Sequence, residues 1–374
     1  MRIAVNTRLL LKGKMEGIGW FSYETLSRIT QSHPEVEFIF IFDRKPSSDF
    51  IFSENVKAVV VHPQARHPFL WYLFFEFGVK RALDKYKPDL FLSPDGWLSL
   101  RSNIAQLAVI HDLNFEEHPE FIEPLVLRYY RWFFPRFAKK AKRVVTVSNY
   151  TKQDIVNRYG IDKNLIDVVY NGVNDRFLPL SEEGIRTVRK KYSKGDPYLL
   201  FVGLIHPRKN LKNQLRAFLK MKEETGSNLK YLIVGAKYSW EKELDELLES
   251  SIYGKDVIVL GRQGLNQLIE LYGAAFALTY VSYFEGFGIP IVEAMKSGIP
   301  VITSNTSSMP EITGKSGLLV SPDSVDEIAR AMKDLWQDTQ LREQLVSSGI
   351  KRAEDYSWDK AAQGLFSSIQ KALV

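Results

Sequence analysis

The strongest constraint on the fold is a rhythm. Short runs rich in β-branched and aromatic residues recur along the chain, and helix-length segments separate most of them. One set comprises residues 3–5, 36–42, 56–61, 89–92, 106–110, 144–147 and 166–169. A second comprises residues 198–202, 231–234, 257–260, 277–281, 301–303 and 318–320. Near-continuous apolar strands alternating with helices indicate parallel sheets covered on both faces. Two sets in 374 residues predict an α/β protein of two doubly wound, Rossmann-like domains. The turn chemistry of Asn171-Gly172-Val173-Asn174-Asp175 interrupts the rhythm, followed by the charged stretch 181–196. The expected domains are therefore 1–175 and 176–355. Residues 356–374 form a final helix, with Ala361, Leu365, Ile369 and Leu373 at helical spacing.

The chain has no Cys, which excludes a disulfide framework, a thiolate zinc site and a cysteine nucleophile. Lys and Arg number 50 against 44 Asp and Glu, a net charge of +6 that suits an anionic partner without naming one. The opening strand runs straight into Asn6, Thr7 and Arg8 with no apolar core of a signal peptide, so none is expected. No uninterrupted apolar stretch reaches the roughly 18 residues of a spanning helix, so any membrane contact should be peripheral.

Ligands of doubly wound sheets bind outside the carboxyl ends of the strands, so the informative segments are strand-to-helix loops. Residues 282–302 read strand, glycine loop, short helix, turn, strand. Pro290 suits the first position of the helix and Gly298 the left-handed residue just past its end. Its free N–H groups, beside Gly286 and Gly288, and the positive end of its dipole can receive a phosphate. Glu285 stands before the loop and Glu293 about one turn into the helix. Two carboxylates so placed can accept bonds from sugar hydroxyls at both ends of a sugar nucleotide. Ordinary α/β packing with two solvated glutamates accounts for the same residues.

The frame Glu285-Gly286-Phe287-Gly288-Ile289-Pro290-Ile291-Val292-Glu293, with seven residues between the glutamates, resembles the signature of the retaining GT-B glycosyltransferases of family 4, which include bacterial cell-envelope sugar transferases. The resemblance extends over most of the chain. It implies two Rossmann-like domains facing a deep cleft, the first binding the acceptor and the second the nucleotide sugar, with the C-terminal helix crossing back to the first. It places Glu285 on the donor sugar, the Gly286, Phe287, Gly288 and Ile289 backbone near sugar and phosphate, and Glu293 on the ribose.

Other segments extend the likeness. Gly203-Leu204-Ile205-His206-Pro207-Arg208-Lys209 is similar to the family's phosphate loop. Lys209 falls in the lysine position, and adjacent cations at a strand end can neutralise a leaving diphosphate. Many relatives carry Arg where this chain has Leu204, which gives Arg208 as the candidate second cation. Gly17-Ile18-Gly19 resembles the glycine loop of the first domain, and His111 matches a His that faces the donor sugar. Gly261-Arg262-Gln263 resembles the turn that reads the base. The other five His show no metal-ligand spacing and no Asp-x-Asp pair occurs, so no metal or other cofactor is expected.

The implied activity is transfer of a hexosyl group from a UDP- or GDP-sugar to a hydroxyl of a glycan or lipid-linked acceptor, with retention. GDP-mannose and an envelope polysaccharide are suggested by the resemblance alone, as is a cytoplasmic location at the inner face of the cell membrane. Nucleic acid is not expected as a partner. Glu285 and His111 also suit a nucleotide-sugar epimerase, and a non-catalytic binder is a third reading. A dinucleotide oxidoreductase is disfavoured because Ser22 stands where a third glycine would follow Gly17 and Gly19. Residues 127–143 hold seven cations, six aromatics and no acid, and residues 69–77 hold six aromatics. Such stretches form either an interface with an anionic membrane or a core with a solvated face.

Overall fold

The computed structural model describes residues 1–236 and 242–374. The chain forms two compact units, residues 1–172 with 357–374, and residues 173–356. In the first, strands β1 (Arg2–Asn6), β2 (Glu37–Phe42), β3 (Val56–Val60), β4 (Leu90–Ser93), β5 (Ala105–Ile110), β6 (Arg143–Thr146) and β7 (Ile166–Val168) make a parallel sheet in the order β3-β2-β1-β4-β5-β6-β7. In the second, β8 (Tyr198–Val202), β9 (Lys230–Val234), β10 (Val257–Gly261), β11 (Ala277–Tyr280), β12 (Val301–Ser304) and β13 (Leu318–Val320) make a parallel sheet in the order β10-β9-β8-β11-β12-β13. Each strand falls on one of the expected apolar runs.

The central strands are buried on both sides, which is why they read as unbroken apolar runs rather than alternations. Ile3, Ala4 and Val5 are covered completely or nearly so, as are Leu199, Leu200 and Phe201. Burying one such side chain stabilises the fold by about 1.5–3 kcal/mol. In the first unit, helix Gly17–Ser32 turns Phe21, Leu26 and Ile29 inward. The C-terminal helix Trp358–Leu373 packs beside it, with the His33 and Phe366 rings stacked 3.6 Å apart. A side chain at Gly172 would put its Cβ 2.2 Å from the Trp358 nitrogen, so only glycine lets the two chain segments pass. In the second unit, helices Leu211–Thr225 and Val325–Gln337 pack against each other.

Both sheets share one topological property. Chain order runs outward in opposite directions from β1 and β4 in the first sheet and from β8 and β11 in the second. At such a switch point the loops leaving the two strands diverge and open a crevice at the carboxyl edge. No helix among the described residues is long and apolar enough to cross a membrane.

Candidate active site

The switch point of the second sheet brings together residues far apart in sequence. After β8, the 3₁₀ turn Pro207–Lys209 is capped by His206, whose Nδ1 accepts from the Arg208 N–H at 3.1 Å. Burial, then the adjacent Arg208 and Lys209 charges, hold that imidazole below its usual range. After β11, the chain runs through Glu285 into the glycine loop. Here Lys209 Nζ meets Glu285 Oε1 at 2.5 Å and Arg208 Nη1 meets Glu285 Oε2 at 3.0 Å. Glu285 and Lys209 are both buried. Burial alone would raise the Glu285 carboxyl, but the Arg208 and Lys209 charges outweigh it and bring it down to about 2. Two cations thus face one carboxylate at the carboxyl edge of the sheet.

The loop is fixed by hydroxyl groups at the end of β12 and in the segment that follows it. Thr303 Oγ1 donates to the Tyr280 carbonyl at 2.8 Å, Thr306 Oγ1 to that of Tyr283 at 3.0 Å, and Ser308 Oγ to that of Glu285 at 2.8 Å. Ser307 Oγ accepts from the Glu285 N–H at 3.1 Å. On the other side, Tyr283 donates its N–H to the Arg208 carbonyl, and Arg208 also donates to the Phe284 carbonyl. Gly288 has φ +97°, and a Cβ there would approach Ile291 Cδ1 to 3.0 Å. It leads into helix Ile289–Lys296, in which Pro290 is the second residue rather than the expected first and which has no side-chain cap. Gly298 beyond its end is left-handed at φ +72°. The helix therefore presents its first N–H groups beside the glycine loop, as the sequence predicts.

Glu293 lies half-buried on that helix. Burial lifts its carboxyl to about 7, against a smaller opposing pull from the Tyr272 hydroxyl. The two glutamates of the motif are thus driven in opposite directions, one held ionised and one poised near neutrality. Phe287 is buried with its ring edge-on to Tyr356, so its backbone, not its side chain, is what the loop offers.

Three glycines end adjacent strands. Gly203 donates to the Val234 carbonyl at 2.9 Å and Gly235 to that of Gly261 at 3.0 Å. A Cβ at Gly235 would fall 1.7 Å from the Gly203 oxygen, so the crossing requires glycine. Gly261 is left-handed at φ +68° with open space around it, and Arg262 beside it is exposed at the edge strand β10.

The first unit holds Gly17 and His111. Gly17 opens helix Gly17–Ser32, and a Cβ there would meet nothing within 4 Å. Internal packing does not demand that glycine, whereas a Cβ at Gly19 would fall 3.0 Å from the Leu9 carbonyl oxygen. His111 follows β5 and donates Nε2–H to the Pro94 carbonyl at 2.8 Å, which leaves Nδ1 as an acceptor when the ring is neutral. Burial holds it below its usual range, with the Pro94 carbonyl and the Asp112 and Asp95 charges opposing.

Sequence reasoning missed several partners. Tyr280, fully buried at the end of β11, accepts from Lys209 Nζ at 2.7 Å and covers it with its ring. At the first sheet's switch point, Arg8 and Asp95 form a buried pair at 2.6 Å, with Asn6 also donating to Asp95. A signal existed for the hydroxyl brace, in the run Thr303-Ser304-Asn305-Thr306-Ser307-Ser308. Tyr280 and Arg8 carried none. Among the described residues no group of three or more His, Asp or Glu could hold a metal ion.

Comparison with known proteins agrees with this geometry. The profile "Glycosyltransferase Family 4" matches residues 15–177 and "Glycosyl transferases group 1" matches residues 185–352. O-antigen chain mannosyltransferase RfbU of Salmonella typhimurium is 30% identical over 272 residues, 72% of this chain and 71% of that protein. The chain belongs to the family 4 glycosyltransferases. O-antigen chain mannosyltransferase B of Escherichia coli is 29% identical over 365 residues, 93% of this chain and 94% of its own. Among solved structures, Anabaena HepE in complex with UDP-glucose superposes with a TM-score of 0.77 at 17% identity, over 99% of this chain and all of its own. The fold of this glycosyltransferase is GT-B.

Proposed function

We propose that this glycosyltransferase moves a hexosyl group of the mannose type from a nucleoside-diphosphate sugar to a hydroxyl of a glycan or lipid-linked acceptor in cell-envelope polysaccharide synthesis, retaining anomeric configuration and needing no metal ion. The observation that carries this reading is the buried junction of Arg208 and Lys209 with Glu285, beside the open N-terminus of helix Ile289–Lys296. Two cations outnumber the carboxylate between them, and a diphosphate restores the balance. As the bond from the anomeric carbon to the leaving oxygen lengthens, negative charge grows on the diphosphate. Fixed positive groups stabilise that charge more than they stabilise the ground state, which is what lowers a barrier.

Glu285, ionised at any physiological pH, keeps both side chains oriented and offers its remaining acceptor capacity to a sugar hydroxyl. Glu293 serves the ribose diol, whose two hydroxyls need the ionised carboxylate. The mannosyl preference rests on the O-antigen mannosyltransferases that the chain resembles over most or much of its length. GDP-mannose is the first donor to test and UDP-glucose the second, since HepE was solved with that ligand. Retention follows if the acceptor hydroxyl attacks from the face the diphosphate leaves, passing its proton to a departing phosphate oxygen.

The test is incubation with each donor and a mannosyl acceptor carrying an apolar aglycone, in the presence of a chelator, followed by NMR of the product. An α-configured product from an α-configured donor is expected. An inverted product, loss of turnover on chelation, or conversion of donor with no acceptor each overturns part of the proposal, the last in favour of an epimerase.

A further inference from the structure

The two aromatic stretches of the first unit divide between core and surface. Residues 68–79 form helix Pro68–Leu73 and the π-helical turn Phe74–Val79, with Phe74 and Phe75 buried and Phe69 64% exposed. Helix Pro124–Lys140 buries Tyr129, Phe134 and Phe137. Its exposed side carries Leu125, Arg128, Trp132, Arg136 and Lys139, with Leu125 at 59% and Trp132 at 58% exposure. Those five positions are separated by three or four residues, so they form a single stripe about 21 Å long. Between this helix and Phe69 lies an open, mainly apolar groove of about 1030 Å³.

The charges on this face belong to one sign where it matters. Neither Arg128 nor Lys139 has an acidic partner among the described residues. Arg136 lies over the Trp132 ring at 3.7 Å. Of the acids nearby, Glu116 pairs with Arg131 at 3.2 Å and Glu120 with His118 at 3.0 Å, while Glu123 stands exposed just before the helix, at the end of the stripe away from Arg136 and Lys139. Exposed Leu and Trp interleaved with Arg and Lys on a single helix face, beside the exposed Phe69 of the neighbouring helix, is the composition of an element that lies in a bilayer interface. The apolar centre of a protein–protein interface is depleted in Lys.

We propose that this face docks on the anionic leaflet of a membrane, with Phe69, Leu125 and Trp132 entering the acyl boundary, lipid chains filling the groove and Arg128, Arg136 and Lys139 reaching phosphate headgroups. The inference is independent of the donor chemistry assigned to the second unit. It gives a transferase with a lipid-linked acceptor a way to meet that acceptor in the plane of the membrane.

The experiment is co-sedimentation of the full chain with phosphatidylglycerol–phosphatidylcholine vesicles and with pure phosphatidylcholine vesicles at two salt concentrations. Binding to the anionic vesicles that weakens with salt is expected. The double variant R128A/K139A should lower partitioning roughly thirtyfold, because each cation near the surface contributes about a factor of five. The triple variant F69S/L125S/W132S should abolish it. All five side chains are exposed, and unchanged thermal unfolding would show that the variants fold. Equal binding to neutral vesicles, or no binding to either, overturns the proposal. So does a wild-type mass in solution that the triple variant halves, which would make the face a contact between two copies. Saturable binding of monomeric dihexanoyl-phosphatidylglycerol without vesicle binding overturns it in favour of a site for one amphiphile.

Discussion

Replacing Glu293 with Gln separates what the carboxylate does for stability from what it does for ligand. In the folded chain this carboxyl titrates at about 7, against 4.5 ordinarily. Between those values the folded state keeps a proton that the unfolded state has lost, so stability falls as pH rises through this window. At 1.36 kcal/mol per pH unit the full separation corresponds to about 3 kcal/mol at alkaline pH, which partial solvent access at the half-buried site reduces to about 2. Gln has the shape of the protonated acid and never ionises. The variant should match the wild type near pH 5 and unfold higher at pH 8, by about 4–8 °C for a unit of this size. Nucleotide affinity should move the other way. Wild-type binding of a nucleoside diphosphate strengthens as pH rises through 7, while the variant binds about ten- to hundredfold more weakly at pH 8 and shows little pH dependence, since bonds to a charged acceptor contribute about 1.5–3 kcal/mol. Thermal unfolding and calorimetric titration at pH 5, 6, 7 and 8 provide the data. A melting difference that does not change with pH, or a variant less stable at pH 8, refutes the reasoning about burial. Unchanged nucleotide affinity refutes the role given to Glu293.

Three further outcomes are expected. Lys209→Met should lower kcat at least a hundredfold with a smaller effect on donor KM, because the lost charge matters most when the diphosphate departs; equal kcat in a steady-state assay would remove Lys209 from the mechanism. Gly288→Ala should destabilise the second unit by about 1–2 kcal/mol, since its φ of +97° and the 3.0 Å approach to Ile291 both resist a Cβ, and an unaltered urea midpoint would contradict the loop geometry. Truncation after Tyr356 removes Trp358, Leu365, Phe366 and Ile369 from the first unit's core. At about 1.5–3 kcal/mol each, their loss should leave that unit open to limited proteolysis while the second stays resistant, and a stable first unit would show that the C-terminal helix is dispensable.

The sheets were legible in the sequence because buried parallel strands leave unbroken apolar runs, and β8 and β13 coincide with their runs residue for residue. The order of the strands was not legible. It depends on which helix covers which face, and no local pattern records that. The motif around Glu285 and Glu293 was readable because chemistry concentrates in one contiguous loop. Tyr280 was not, since an aromatic at a strand end looks like core until its hydroxyl is found on Lys209. The pairing of Glu285 with both Arg208 and Lys209 spans more than 70 positions, a distance that only the switch-point topology closes. The aromatic stretches stayed ambiguous for a related reason: Phe74 and Phe69 are the same residue type within one short segment, and their different fates follow from which side of the turn meets helix Pro124–Lys140.

The most direct test of the central claim is thermal unfolding in the presence of chelator with GDP, UDP, ADP and NAD, on the wild type and on Lys209→Met. A ligand at 100 times its dissociation constant stabilises the folded state by about 2.7 kcal/mol. Stabilisation of the wild type by GDP or UDP, greatly reduced in the variant, is the predicted result. Stabilisation by NAD alone, by none of the four, or equally in both proteins would contradict a diphosphate site built on Arg208, Lys209 and Glu285.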